Sequence, residues 1–169
     1  YAQESLYLPL ENQGIWQVVE QDSLSSGTKA WTLLHPGEEL DDFSECLQIR
    51  QTSDPLNLSV DQLVNRLVKD AQTQMQRGKI TMVEKHSGID IREEWSIFLI
   101  ESPAPKKGGR SQTLISLVYM GENHTYVVQR STQNGKLSGS EKKNWKRIFK
   151  AAEIHDREMM SVLKDLAAR

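Results

Sequence analysis

The chain is poor in the residue types that build reactive centres. Its only cysteine is Cys46, so no intramolecular disulfide can form. Cys46 falls in an apolar alternation with Phe43, Leu47 and Ile49, which fits a small buried hydrophobe better than a nucleophile. The four histidines (His35, His86, His124, His155) are scattered, and none stands at a zinc spacing. His86 with Asp90, and His155 with Asp156 and Glu158, are the nearest approaches to a metal set, and solvated or structural histidines explain them better. No run of about 18 apolar residues occurs, which excludes a membrane-spanning helix. The string closest to a strained nucleophile elbow, Leu137-Ser138-Gly139-Ser140, reads as a helix start. Gly108-Gly109 precedes a strand rather than a helix, so it lacks the context of a phosphate loop. Glu93 and Glu94 are neighbours on a strand pattern and point to opposite faces, while Asp41-Asp42 is a solvated loop pair. The expectation is a protein without catalytic activity, cofactor or metal.

Charge is unevenly spread. Net charge is −2 overall, yet residues 1–48 hold nine acids against Lys29 alone, a local net of −8. The remainder is basic, most densely at Lys142, Lys143, Lys146, Arg147 and Lys150. Such a layout steers a charged partner, or compensates internally across one folded surface. The near-neutral total disfavours nucleic acid, and contact with a membrane surface is a minor reading of the basic stretch.

Period-two patterns dominate. Residues 1–13 are polar and irregular, with Pro9 opposing regular structure. Strands are expected over 15–20, 30–35 and 44–51, separated by a serine-rich turn and by Pro36-Gly37. Ser59, with Gln62 three residues on, is a capping box, and Val60, Leu63, Val64, Leu67, Val68, Ala71 and Met75 form an apolar helical face that Gly78 ends. Four strands follow, over 79–86, 91–101, 113–120 and 125–131, with glycine in the links. The stretch 114–120 is apolar on both faces, as is most of 95–100, and a strand buried on both sides needs cover on both sides. A last helix starts at Ser138 or Ser140 with Trp145, Ile148, Phe149 and Ala152 as its stripe. A second stripe, Ile154, Met159, Val162, Leu163 and Leu166, follows a bend near His155-Asp156. The expected organisation is an irregular segment over 1–13, one domain over 14–152 and a helical extension over 153–169.

The stretch Trp31-Thr32-Leu33-Leu34-His35-Pro36-Gly37-Glu38-Glu39-Leu40-Asp41-Asp42-Phe43-Ser44-Glu45 carries a Pro-Gly-Glu turn, an acidic loop, and an aromatic-Ser-Glu step into a strand. With the order of elements and Trp145 in the last helix, it resembles small secreted bacterial proteins of the Mog1/PsbP-like fold over roughly residues 14–152. The resemblance implies an α+β fold, a mainly antiparallel sheet covered by helices on both faces in an α/β/α sandwich. It also implies a binding role, since named members dock onto other proteins. A start at Tyr1 rather than Met fits either removal of a secretory signal or a trimmed chain; the first is preferred, so the expected location is secreted or periplasmic, otherwise cytoplasmic.

The functional expectation is therefore a non-enzymatic protein-interaction module. Its two candidate surfaces are the acidic loop (Glu38, Glu39, Asp41, Asp42) and the basic loop (Lys106, Lys107, Arg110). A secretion-type chaperone or dimeric assembly factor is the alternative that the apolar tail Met159, Met160, Val162, Leu163, Leu166 favours. A hydrolase or small-ligand pocket between sheet and helix, with His86, His124 or Glu94 converging, is the third.

Overall fold

The structure, a computed structural model, describes residues 4–10, 12–24, 27–53, 58–74, 79–87, 94–102, 112–132, 135 and 137–168, with backbone alone for 74 and 79–87. Strands make up most of its regular structure, as the prevalence of period-two patterns predicts. In chain order they are β1 (Ser5–Tyr7), β2 (Gln17–Leu24), β3 (Thr28–Leu34), β4 (Glu45–Thr52), β5 (Lys79–Ser87), β6 (Glu94–Ser102), β7 (Gln112–Met120), β8 (Thr125–Thr132) and β9 (Glu153–His155). The helices are α1 (Val60–Gln74) after β4, α2 (Gly139–Lys150) after β8 and α3 (Met159–Ala167) after β9. Seven strands form one antiparallel sheet in the order β2-β3-β4-β8-β7-β6-β5, and β1 pairs with β9 in a ribbon of two.

Both longer helices begin on capping boxes. The Ser59 hydroxyl accepts from the Gln62 amide at 3.2 Å, and the Gln62 side chain accepts from the Ser59 amide at 2.9 Å. Ser138 and Glu141 repeat the exchange at the start of α2.

One sheet face carries the larger core. Trp31, Leu33, Leu47, Ile49, Val128, Ile115, Leu117, Ile97 and Leu99 project there and meet Trp145, Ile148 and Phe149 of α2, Met159, Leu163 and Leu166 of α3, and Leu6, Leu8, Leu10 and Trp16. On the other face, Val60, Leu63, Val64 and Ala71 of α1 cover Phe98, Ile100, Val118 and Val127, which belong to β6, β7 and β8 alone. The expected α/β/α sandwich does not hold. The protein is mostly antiparallel β with three short helices of 15, 12 and 9 residues, not a sheet covered by helices on both faces. The reason is width. A helix about 10 Å across spans two or three strands spaced about 4.8 Å apart, so one helix cannot roof seven. Strands apolar on both faces occur where α1 lies. Beyond it the second face presents Glu20 and Asp22 of β2, Thr28, Ala30 and Thr32 of β3, and Gln48, Arg50 and Thr52 of β4, as the ladders align them.

The N-terminal segment is held more firmly than its composition suggests. Leu6 pairs with Ile154, and the buried Glu4 carboxylate accepts from the Asn123 amide at 2.9 Å and the His124 amide at 3.0 Å in the β7–β8 turn. The C-terminal stripe also packs inward, since Met159, Val162, Leu163 and Leu166 are all buried.

Candidate functional site

The β3–β4 connection is built from its sequence upward. Pro36 and Gly37 occupy the middle of a tight turn in which the Glu38 amide donates to the His35 carbonyl at 3.2 Å. Gly37 has φ of +83°, the value a type II turn demands at its third position and that favours glycine. The next turn closes between Glu39 and Asp42, whose amides donate to each other's carbonyls at 3.4 and 3.1 Å. Leu40 and Asp41 are left at its tip, both exposed. Glu38 faces back into the loop, where its carboxylate accepts from the Ser44 amide at 3.1 Å and the Ser44 hydroxyl at 2.5 Å. Burial pushes Glu38 upward, but the Ser44 hydrogen bonds outweigh it and hold the carboxyl below its usual range.

A charged latch joins the two stems of this loop. His35 Nε2 lies 2.7 Å from Glu45 Oε1, and His35 Nδ1 lies 2.8 Å from the Ile15 carbonyl. Both partners are acceptors, so both ring nitrogens must donate and the ring is an imidazolium. Burial works against this charge, yet the bonds to Glu45 and Ile15 outweigh it and raise the His35 pKa above its usual value. The second Glu45 oxygen accepts from Arg130 at 2.6 and 3.0 Å. Arg130 is 4% exposed and stands 5.5 Å over the Trp145 ring. The acidic loop is thereby fixed to the segment before β2 and to β8 in the sheet centre.

The loop borders a concavity of about 410 Å³ on the uncovered half of the sheet. Glu20, Asp22 and Leu24 form one side, Leu40 and Phe43 another, and Cys46, Gln48 and Arg50 lie between. Leu24 and Leu40 are each 50% exposed, and with Ile15 and Val19 they are the large exposed apolar side chains among the described residues. Cys46 is buried on this face, opposite to the Leu47 and Ile49 of its sequence alternation. Burial pushes its thiol up to about 11, so it stays protonated at neutral pH.

Of the residues that sequence singled out, Glu38, Glu39, Asp41 and Asp42 stand in this ordered loop. Lys106, Lys107 and Arg110 lie outside the described residues, as do Asp90, Glu93 and the His86 side chain. His124 stands 3.3 Å from Glu4 and is not gathered with Glu94 into any pocket described. Among the described residues no group of His, Cys, Asp and Glu could hold a metal ion, and no helix is long and apolar enough to cross a membrane. In α2, Trp145 and Phe149 turn into the core, while Lys143, Lys146, Arg147 and Lys150 line a wider depression of about 640 Å³ on the outside. That depression is shallow, and its described lining comes from one helix and the residue after it, so the sheet concavity is the better-formed feature.

Glu20, Asp22, Leu24, Arg50 and the His35–Glu45–Arg130 latch escaped the sequence reading. A lone leucine inside an acidic loop, and a strand alternating Leu47 and Ile49 with Gln48 and Arg50, were the signals present. Comparisons with protein-family models and with curated proteins find no match.

Proposed function

We propose that this chain is a non-enzymatic protein-interaction module that docks a partner on the uncovered β2–β3–β4 half of its sheet. One observation carries this reading: a preformed concave face, bounded by a braced acidic turn, keeps Leu24 and Leu40 half exposed where no helix among the described residues covers them. Exposed leucines over a charged rim suit a protein surface, with apolar area for affinity and acids for orientation and on-rate. The reactive groups nearby suit chemistry poorly, because both His35 nitrogens are engaged as donors and the Cys46 thiol is protonated. The apolar tail that suggested a chaperone or dimer contributes its side chains to the chain's own core.

Site-specific photo-crosslinking in the native host tests the reading. A benzoylphenylalanine at Leu24 or Leu40 is expected to trap a discrete protein adduct, and one at Ala168 is not. Adducts forming elsewhere but never at Leu24 or Leu40 would remove the docking face.

A further inference from the structure

The strand that bounds the concavity is also an edge. Among the described residues β2 pairs with β3 alone, and its other side ends the sheet. Free edges invite strand addition, and proteins guard them with charge, bulges or cover. β2 has all three: α3 packs against it, with the Trp16 amide just before the strand donating to the Leu166 carbonyl at 3.5 Å, a bulge falls between Val18 and Glu20, and Glu20 and Asp22 bring charge, yet residues 19–24 stay exposed. Protection alone does not require apolar side chains on the edge, yet Val19 is 44% exposed and Leu24 50%.

The charges select among occupants. Glu20 and Asp22 share one face and already repel, and Asp22 hydrogen bonding and charge hold the Glu20 pKa above its usual value. A second copy adding through β2 in antiparallel fashion, with sheet faces aligned and the pairing centred within Glu20–Asp22 so that most of the strand is used, would set Glu20 against Asp22, or either acid against itself. Like charges directly opposite on a sheet are unfavourable, so the edge disfavours its own kind in the registers that pair most of the strand. A strand with Lys or Arg at every second residue would meet the same acids with opposite charge, and its aliphatic stems would cover Leu24. Arg50 sits on β4, two strands inward, and leaves the edge acidic.

We propose that β2 accepts a basic extended segment of the partner protein as an added strand, with alternate Lys or Arg side chains facing Glu20 and Asp22. This rests on the docking face proposed above and names the mode and chemistry of what occupies it.

The test uses the full chain and an acetylated, amidated octapeptide alternating Lys and Val. By NMR titration the peptide is expected to bind, slow amide exchange over Val19–Leu24 and lower the Glu20 pKa. The Glu20→Lys, Asp22→Lys variant, checked for its fold by its spectrum, should bind at least about tenfold more weakly. A Glu-Val peptide should not bind. A version N-methylated at every central residue, which blocks both of its edges, cannot add as a strand and should lose binding. If it binds as well as the parent, strand addition is wrong while the docking face stands. If the Lys-Val peptide does not bind, or the charge-reversed variant binds it unchanged, the basic-strand inference falls. The crosslinks at Leu24 and Leu40 then decide separately whether the face itself is a docking site.

Discussion

Replacing Gly121 by Ala should destabilise the protein, and removing Glu4 should reverse the sign of that effect. A Cβ at Gly121 would stand 2.6 Å from Glu4 Oε1, 3.1 Å from Cδ and 3.3 Å from Oε2. The Gly121 backbone lies outside the left-handed region, so the Glu4 carboxylate is the obstacle to a methyl group there. Glu4 has a flexible side chain but is not free to move, because its oxygens accept from the Asn123 and His124 amides. Hydrogen bonds to a charged acceptor contribute about 1.5–3 kcal/mol each when buried, and the exposure of Glu122 and Asn123 lets water replace part of this. Glu4→Ala should therefore cost about 2–3 kcal/mol, lowering Tm by about 5–10 °C for a chain of this size. Gly121→Ala, by displacing the same carboxylate, should cost about 1–2 kcal/mol. In the Glu4→Ala background the methyl group meets no carboxylate, and the stiffer unfolded chain should make Gly121→Ala stabilising by about 0.4–1 kcal/mol. Chemical denaturation of the four proteins in the cycle gives the coupling directly. Additive costs would refute the account of how the N-terminal segment is docked.

The His35 latch predicts a pH dependence with a definite sign. Its folded pKa lies above the usual value, so its stabilisation is complete below the unfolded pKa and is lost as pH rises through the folded one. The groups around it are Glu45, Glu38 and, through Glu45, Arg130, and the Tm gap between wild type and His35→Ala should narrow as pH rises above the ordinary histidine value of 6.5. A constant gap would show the ring is neutral. Arg130→Met leaves Glu45 with one fewer partner beside the core and should cost about 3 kcal/mol by denaturant titration, whereas a change under about 1 kcal/mol would place Arg130 in water. Cys46 should resist a thiol reagent in native buffer and react in denaturant, and fast native labelling would contradict its burial. Ser138→Ala should cost about 1 kcal/mol and Ser59→Ala a similar amount, read from Tm.

Local signals were legible in the sequence, and long-range ones were not. The Ser59-to-Gln62 box, the Pro36-Gly37 turn and the strand patterns act within a few residues, and the structure places the corresponding elements within a few residues of where they were expected. The buried-both-sides pattern of 114–120 truly reports cover, but only for the strands under α1. Extending it to the whole sheet produced the wrong architecture, although Gln48 and Arg50 on one side of β4 already marked a wet face. Ser5–Tyr7 became a strand because Glu153–His155 pairs with it, a partner that no local pattern reveals. Glu45 and Arg130 are 85 positions apart, and each reads alone as an ordinary surface charge. The apolar stripe in 159–166 showed that something must cover it without showing that the covering surface is this chain's own core.

Whether the β2–β3–β4 half of the sheet stands open is the question on which the functional reading turns. Hydroxyl-radical footprinting of the isolated full chain, read by mass spectrometry, answers it residue by residue. Leu24 and Leu40 should be oxidised rapidly, while Leu63 of α1 and Ile100 and Val127 beneath it should be protected. Equal protection of both groups would mean that the face is covered by the chain itself, and the docking account would be wrong.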